Sequence, residues 1–492
     1  MRSDLRYTPL SRSAKYRHQR SWRAALSLIG LLVIVLFGPV DSYAQQVGNT
    51  WSEPSDATLD STAQTGSFDV LLCDPYQNTY LLWAEQADDG AAVYLKSDVH
   101  DGWSAGRDVI AVPGAVVFNL EAAISQPDNV MHVIWADQHL RGDIYYTSAP
   151  LAMVDEPVSW AEPQLIGQAS DWASIKTDST GKVHVVYGTT DDSGLQHTVY
   201  HLETADYGKT WSEPDAAYAV VSALPALIRP ELAIDGRDRL HIGISLNSYE
   251  YGAYSEVGYV RSDEGGQNWS SYRQVQNTGT TFQGVAWIAP YAFGNDEIHL
   301  TWHDPRRMHM WSSDGGQTWR EPEEIMPLAA AFGGRNELTQ DSAGVLHVVT
   351  AVGDGVYSAS WNNAEWSAPE QIDHRFNDPH GQTIVACGGN QLHVAYYDRI
   401  GENKVWYATR LVNAPVIARQ PVPTPDTAGA NAAQPTPPIA ATLLAPAPEN
   451  RLVVNTTPPN MPDPLRVIVL PFLAAAIVIG GIVIVYLVRS SR

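Results

Sequence analysis

The chain has 492 residues, is 44% hydrophobic with 16 Trp, and carries a formal charge of −23. That apolar content excludes a disordered chain, which could not offset its ordering entropy. Residues 45–465 hold 21 basic and 52 acidic side chains. So acidic a body repels phosphate backbones and excludes nucleic acid as a main partner, and two cysteines exclude a disulfide scaffold or a Cys-based zinc module.

Residues 1–44 read as a signal peptide. A basic stretch ending at Arg20 and Arg23 precedes an apolar run to Val40, and Ser42-Tyr43-Ala44 supplies small residues for cleavage. An uncleaved N-terminal anchor is the alternative.

Residues 45–411 repeat. A short strand with His near its start recurs as MHVIW, VHVVY, LHIGI, IHLTW, LHVVT and LHVAY, and TYLLW carries Tyr80 in the His place. The anchors fall at 80, 132, 184, 241, 299, 347 and 393, which makes seven copies. A second phrase, Trp followed by Ser/Ala and often Glu-Pro, runs in step at Trp51, Trp103, Trp160, Trp211, Trp269, Trp319 and Trp366. Four short alternating strands per unit predict an all-β, seven-bladed propeller. The first Trp phrase precedes any His phrase, and the last His phrase has no Trp phrase after it. Residues 49–54 are therefore expected to supply the outer strand of the last blade, whose inner three strands come from 382–410. Such a clasp removes a free sheet edge.

Residues 412–465 hold thirteen prolines and no periodic apolar pattern, as an extended extracellular stalk would. Residues 466–488 read as a transmembrane helix, since Val467–Val488 is uncharged and long enough to span. Residues 489–492, with Arg489 and Arg492, form a cytoplasmic tail. The expected location is the cell membrane, single-pass, with the propeller on the extracytoplasmic side.

Three units share the pattern Ser/Thr-x-Asp-x-Gly-x-x-Trp before the outer strand. They contain Thr204, Asp206, Gly208 and Trp211; Ser262, Glu264, Gly266 and Trp269; and Ser312, Asp314, Gly316 and Trp319. Acid and hydroxyl suit the backbone of a tight turn, and Gly allows positive φ. With these motifs in register with the repeat, residues 45–411 resemble the sialidase superfamily of Asp-box (BNR-repeat) propellers. The resemblance implies that the Asp-boxes lie opposite the ligand face and are structural. Family sialidases are usually six-bladed, which is the alternative blade number here. They also use an arginine triad, a Tyr–Glu pair and an Asp, and their Phe/Tyr-Arg-Ile-Pro motif is absent. The nearest string, LIRP at 227–230, lacks the order, so no catalytic set transfers.

The loops joining second to third strands and successive blades open on one side, where propellers bind ligands. Acid–Arg neighbours fall there: Asp137 with Arg141, Asp304 with Arg306 and Arg307, and Asp398 with Arg399. Trp172, Arg229, Arg335, His374, Arg375 and His380 come from inter-blade loops, and Tyr249, Tyr251 and Tyr254 offer stacking surfaces. Each acid–Arg pair also reads as a loop-ordering ion pair. The expected partner is an extracellular glycan or protein. An exo-sialidase-like hydrolase and a structural envelope role are the alternatives. No cofactor is expected, and the repeated His is expected to pack against a neighbouring strand rather than hold metal. Cys73 and Cys387 end the first strands of blades that closure makes neighbours, so they either form a disulfide or stay two buried thiols.

Overall fold

The computed structural model describes residues 50–58, 64–65, 69–87, 90–98, 102–113, 116–137, 142–248, 255–277, 287–303, 306–328, 335–352, 355–375, 379–398 and 404–420. The signal segment, the stalk beyond 420, the candidate span and the tail lie outside them. Among the described residues no helix is long and apolar enough to cross a membrane.

The fold is an all-β, seven-bladed propeller, and among the described residues its helical turns are two three-residue 3-10 segments, Leu151–Met153 and Pro157–Ser159. Each blade is an antiparallel meander numbered from its inner strand outward. Blade 1 runs Val70–Cys73, Thr79–Ala87, Gly90–Asp98, Arg107–Pro113, and blade 4 runs Ala226–Ile234, Leu240–Ser248, Ser255–Ser262, Arg273–Asn277. Blade 5 is Ile288–Phe293, Glu297–His303, Arg307–Ser312, Glu323–Met326, and blade 6 is Glu337–Gln340, Leu346–Val352, Gly355–Trp361, Glu370–Asp373. Blades 2 and 3 share one long strand, Gln164–Thr177. Its start pairs with Gly142–Pro150 as the outer strand of blade 2, and its end pairs with Val183–Thr190 as the inner strand of blade 3.

The clasp forms, shifted along the chain. The outer strand of blade 7 is Ser55–Asp56, with Ser55 opposite Tyr407 and Asp56 opposite Trp406. The Ser52 and Ala57 amides donate to Thr409 and Val405 carbonyls. The expected span of 49–54 was therefore too early. In every blade the outer strand starts four residues after the Trp, as in Trp103/Arg107, Trp211/Asp215 and Trp366/Glu370, and Trp51/Ser55 obeys the same spacing. The physical reason is that the Trp phrase is the packed approach to the strand, and where it holds a proline, as at Pro54, that residue cannot donate to a ladder. The three strands inside the clasp are Pro379–Cys387, Gln391–Asp398 and Val405–Leu411.

Cys73 and Cys387 are bonded, with Cα atoms 5.7 Å apart, and join blades 1 and 7. A second device recurs around the ring. The His of the second strand shares a hydrogen bond with an aromatic of the third: His132 with Tyr146 (2.7 Å), His241 with Tyr259 (2.6 Å) and His393 with Tyr407 (2.5 Å). The next blade's Trp then meets that aromatic edge-on. Trp211 lies on Tyr146 (5.0 Å), Trp319 on Tyr259 (5.0 Å), Trp366 on His309 (5.2 Å), and Trp103 on Tyr407 (4.9 Å) across the closure seam. The repeated His thus packs against a neighbouring strand, as expected.

The Asp-box turns sit at the end of the blades where first strands turn into second. Asp314 accepts from Ser312 Oγ and the Thr318 amide (2.7 and 2.8 Å), and Asp206 repeats this with Thr204 and Thr210. Gly316 has φ +82°, and any Cβ there would strike the Tyr259 hydroxyl. Glu264 departs from the pattern. Its carboxylate bonds the Asn268 side chain (2.5 Å), and the Ser262 hydroxyl alone takes the Gly266 amide (2.9 Å).

At the same end, residues 412–420 lie along the propeller. The Val412 and Ile417 amides donate to Asn390 and Gly388 carbonyls, and Gln77 Nε2 and Arg419 bond Ile417 O and Asn78 Oδ1. The chain therefore leaves the ring from the turn side.

Candidate binding site in the axial cavity

The inner strands of all seven blades line one axial cavity of about 290 Å³. Register decides which side chains meet there. The residue opposite the His position is Ala123 in blade 2, Ala233 in blade 4 and Thr339 in blade 6. Two residues earlier stand Glu121, Glu231 and Glu337. The same place holds Ser174, Ala289 and Thr383 in blades 3, 5 and 7. Alternate blades thus contribute three glutamates at one level.

One arginine binds all three. Arg335 Nη1 donates to Glu121 Oε1 (3.1 Å) and Glu231 Oε1 (2.5 Å), and its Nε reaches Glu337 Oε1 (2.7 Å). Glu121 Oε2 also accepts from Ser174 Oγ (3.1 Å) and lies 3.7 Å from Lys176 Nζ. Glu231 Oε1 takes two indole donors as well, from Trp172 (3.0 Å) and Trp287 (3.2 Å). Burial opposes ionisation throughout, and the outcome depends on the neighbours. For Glu121 the Lys176 and Arg335 charges outweigh burial and hold its carboxyl below the usual value. For Glu231 burial, reinforced by the Glu121 and Glu337 charges, outweighs Arg335 and pushes it up to about 7. The three glutamates keep Arg335 charged against burial.

Towards the loop end the next level is packed. Trp172 and Trp287 meet edge to face at 4.9 Å, and the Arg229 guanidinium lies 5.6 and 4.9 Å from their ring centres. Trp172 is 1% exposed and Trp287 8%. Tyr291 donates to Glu337 Oε2 (3.1 Å) or to the Asn336 carbonyl (2.9 Å). Burial and the Glu337 charge push its phenol well above 10.

Asp69 is the exception in this cavity. It is 5% exposed, it lines the space, and neither carboxyl oxygen has a hydrogen-bond partner. Burial pushes its carboxyl well above the usual range.

Of the residues singled out by sequence, Trp172, Arg229 and Arg335 converge, in the protein interior rather than on a loop surface. Arg307 is 1% exposed and bonds Asn336 Oδ1 (3.3 Å) and Ala351 O (2.6 Å), a role in the seam between blades 5 and 6. Arg375 grips Asp373 (2.7 Å) and covers Trp406 at 4.1 Å, a loop-ordering pair. Asp137 accepts from the Asp143 amide (2.8 Å) across its own turn. Arg306 and His374 are exposed. Arg141, Tyr249, Tyr251, Tyr254, Asp304 and Arg399 lie outside the described residues, as do the side chains of His380 and Asp398. Sequence reasoning missed Asp69, Glu121, Lys176, Glu231, Tyr291 and Glu337. A signal existed for two of them: Arg-x-Glu-Leu occurs at 229–232 and 335–338, each Glu ten residues before a phrase His.

No protein-family model matches the chain, and no curated protein matches it. Solved structures similar to it include a PL25 ulvan lyase, at 11% identity over 70% of this chain and 94% of that one, TM-score 0.46. The NanB sialidase from Streptococcus pneumoniae is similar at 11% identity over 74% and 70%, TM-score 0.40. An alpha-L-arabinanase from Penicillium chrysogenum is similar at 11% over 73% and 96%, TM-score 0.41. These structures are sialidase-like, arabinanase and lyase β-propellers, and at such scores the likeness says nothing about chemistry in this chain.

Proposed function

We propose that the protein is a cell-surface propeller of the Asp-box type that binds the neutral, hydroxyl-rich end of an extracellular glycan, with the axial cavity as its recognition site. The supporting observation is Asp69. A buried carboxyl without partners costs about 1–3 kcal/mol, and such a group in a polar cavity calls for an explanation that a ligand would supply. Three glutamates offer acceptors for hydroxyls, and the same acidity disfavours a sialic acid or uronate. Arg335 is already bound by three carboxylates and has little left for a ligand carboxylate.

A hydrolase is the second reading, on the single ground that Tyr291 and Glu337 are hydrogen-bonded in this cavity. The raised phenol works against Tyr291 as nucleophile.

The test is a glycan array with the full chain in detergent, followed by titration of the best neutral oligosaccharide. Asp69→Leu should abolish binding, at least tenfold, while raising Tm, because it removes an unpaired polar group at a stability–function trade-off. Binding unchanged in Asp69→Leu would sink the assignment of this cavity. Turnover of a fluorogenic glycoside, lost in Tyr291→Phe, would replace binding by hydrolysis.

A further inference from the structure

The repeated His device differs in blade 3. Blades 2, 4 and 7 pair the second-strand His with a third-strand Tyr, whereas blade 3 pairs His184 with His201, Nδ1 to Nε2 at 3.0 Å. The residue directly across the ladder from His184 is Glu203. At that position the other blades carry Ser97, Ser148, Arg261, Trp311, Ser360 and Thr409. Blade 5 also has a His pair, His299 and His309, but each outer nitrogen is taken by its own glutamate, Glu297 or Glu323. Only in blade 3, among the described residues, do three potential ligand atoms converge, all within 4.8 Å of one another.

We infer that His184, His201 and Glu203 form a divalent transition-metal site of the zinc type. The ligand atoms are His184 Nδ1, His201 Nε2 and Glu203 Oε2. In a tetrahedral site with arms of about 2.0–2.1 Å, ligand atoms stand roughly 3.3–3.4 Å apart. The two nitrogens are 3.0 Å apart, and His184 Nδ1 lies 3.6 Å from Glu203 Oε2. These two separations bracket the tetrahedral value, and the third pair lies within 4.8 Å. Glu203 Oε2 is buried and has no hydrogen-bond partner, so its lone pairs are open to a cation. Its other oxygen is held by Lys182 Nζ at 2.9 Å, which fixes the carboxylate. The remaining nitrogen of His184 faces Asp178 Oδ2 at 3.5 Å, the carboxylate–imidazole arrangement that orients a metal-binding His. Two imidazoles and a carboxylate suit Zn(II) in preference to Ca(II) or Mg(II), which favour all-oxygen shells. The partly exposed Glu203 side leaves the fourth position to water.

The experiment strips the full chain in detergent with a chelator and titrates it with Co(II), reading the visible bands of a tetrahedral ion, then displaces Co(II) with Zn(II). One equivalent per chain is expected, with a higher Tm when loaded. His201→Tyr rebuilds the His–Tyr pair that three other blades use, so it should keep the metal-free Tm and lose the equivalent. Glu203→Gln should weaken binding at least tenfold. No tetrahedral Co(II) spectrum in the native chain, or an equivalent that survives in His201→Tyr, would overturn the site.

Discussion

The turn end of the propeller and its axis are built on opposite plans. At the turn end the same parts recur in blade after blade. An Asp orders the turn and faces the His six residues on (Asp178/His184, Asp235/His241, Asp341/His347), and Tyr80 takes Asp74 the same way. The next blade's Trp then locks the pair. At the axis the blades differ: blades 2, 4 and 6 carry glutamates where blades 3, 5 and 7 carry Ser174, Ala289 and Thr383, and Arg335, Lys176, Tyr291 and Asp69 each stand in a single blade. Repetition marks what every seam needs in order to close. Departure from it marks what the ring was closed around.

The largest effect should come from the seam that joins first blade to last. The bond between Cys73 and Cys387 closes a sequence separation of 314 residues, and chain entropy alone gives about 5–6 kcal/mol for a loop of that length. Cys387→Ser should lower the chemical-denaturation midpoint accordingly, and deleting 45–56 should destabilise the whole ring, since Trp51 Nε1 also bonds Ser358 in blade 6. A deletion that melts with the full protein would mean the ring does not depend on its clasp.

At the axis, Arg335→Met should cost about 3–5 kcal/mol, because it leaves three buried carboxylates without their cation. Adding Glu231→Gln and Glu337→Gln should recover part of that loss, a coupling that a double-mutant comparison reads directly. Equal losses with and without the Gln changes would show that Arg335 acts by packing alone.

The contrast between turn end and axis also bounds what sequence can reveal. Six His phrases with the Tyr80 phrase, and seven Trp phrases, show the blade count, the closure and the location of both cysteines, because local packing is the same each time. The misplaced clasp span comes from reading Trp51-Ser-Glu-Pro as strand, when Trp marks the approach four residues upstream. The axial cluster could not be found that way. Arg335 reaches Glu121 over 214 positions and Glu231 over 104, and no local pattern encodes which levels of different blades meet. Arg229 and Arg335 were visible as scarce cations, but their partners emerged only from register.

The two regions should titrate in opposite directions. At the blade seams burial holds His132, His309 and His393 down at about 4. A base depressed in the folded state binds its proton in the unfolded chain first, so stability is lost as pH falls from about 6.5 towards 4. Each such imidazole should contribute on the order of 1–2 kcal/mol of loss by pH 5. Glu231, raised to about 7 by burial, works the other way and favours the folded state as pH drops from 7 towards 4.5. The seams outnumber it, so Tm should fall on acidification. Glu231→Gln should steepen that fall, because it removes the opposing contribution, and an unchanged slope would contradict the shifted Glu231.

The smallest effects test whether the turn end is scaffold only. Asp314→Ala removes bonds to the Ser312 hydroxyl and to the Thr318 amide and hydroxyl, and should cost about 1–2 kcal/mol with glycan binding unchanged. Glu264→Asp asks the same question in reverse. In blades 3 and 5 the shorter acid accepts the amide four residues on, whereas Glu264 reaches past it to the Asn268 side chain. The Ser262 hydroxyl and the positive φ of Gly266 are already in place, so an aspartate there has its acceptor geometry prepared. Glu264→Asp should therefore stabilise by about 0.5–1 kcal/mol, the net worth of one hydrogen bond, read as a rise in Tm at constant denaturant slope. A loss of stability would mean that blade 4 has repacked around the longer side chain, and a change in ligand affinity from either substitution would place the binding function at the turn end after all.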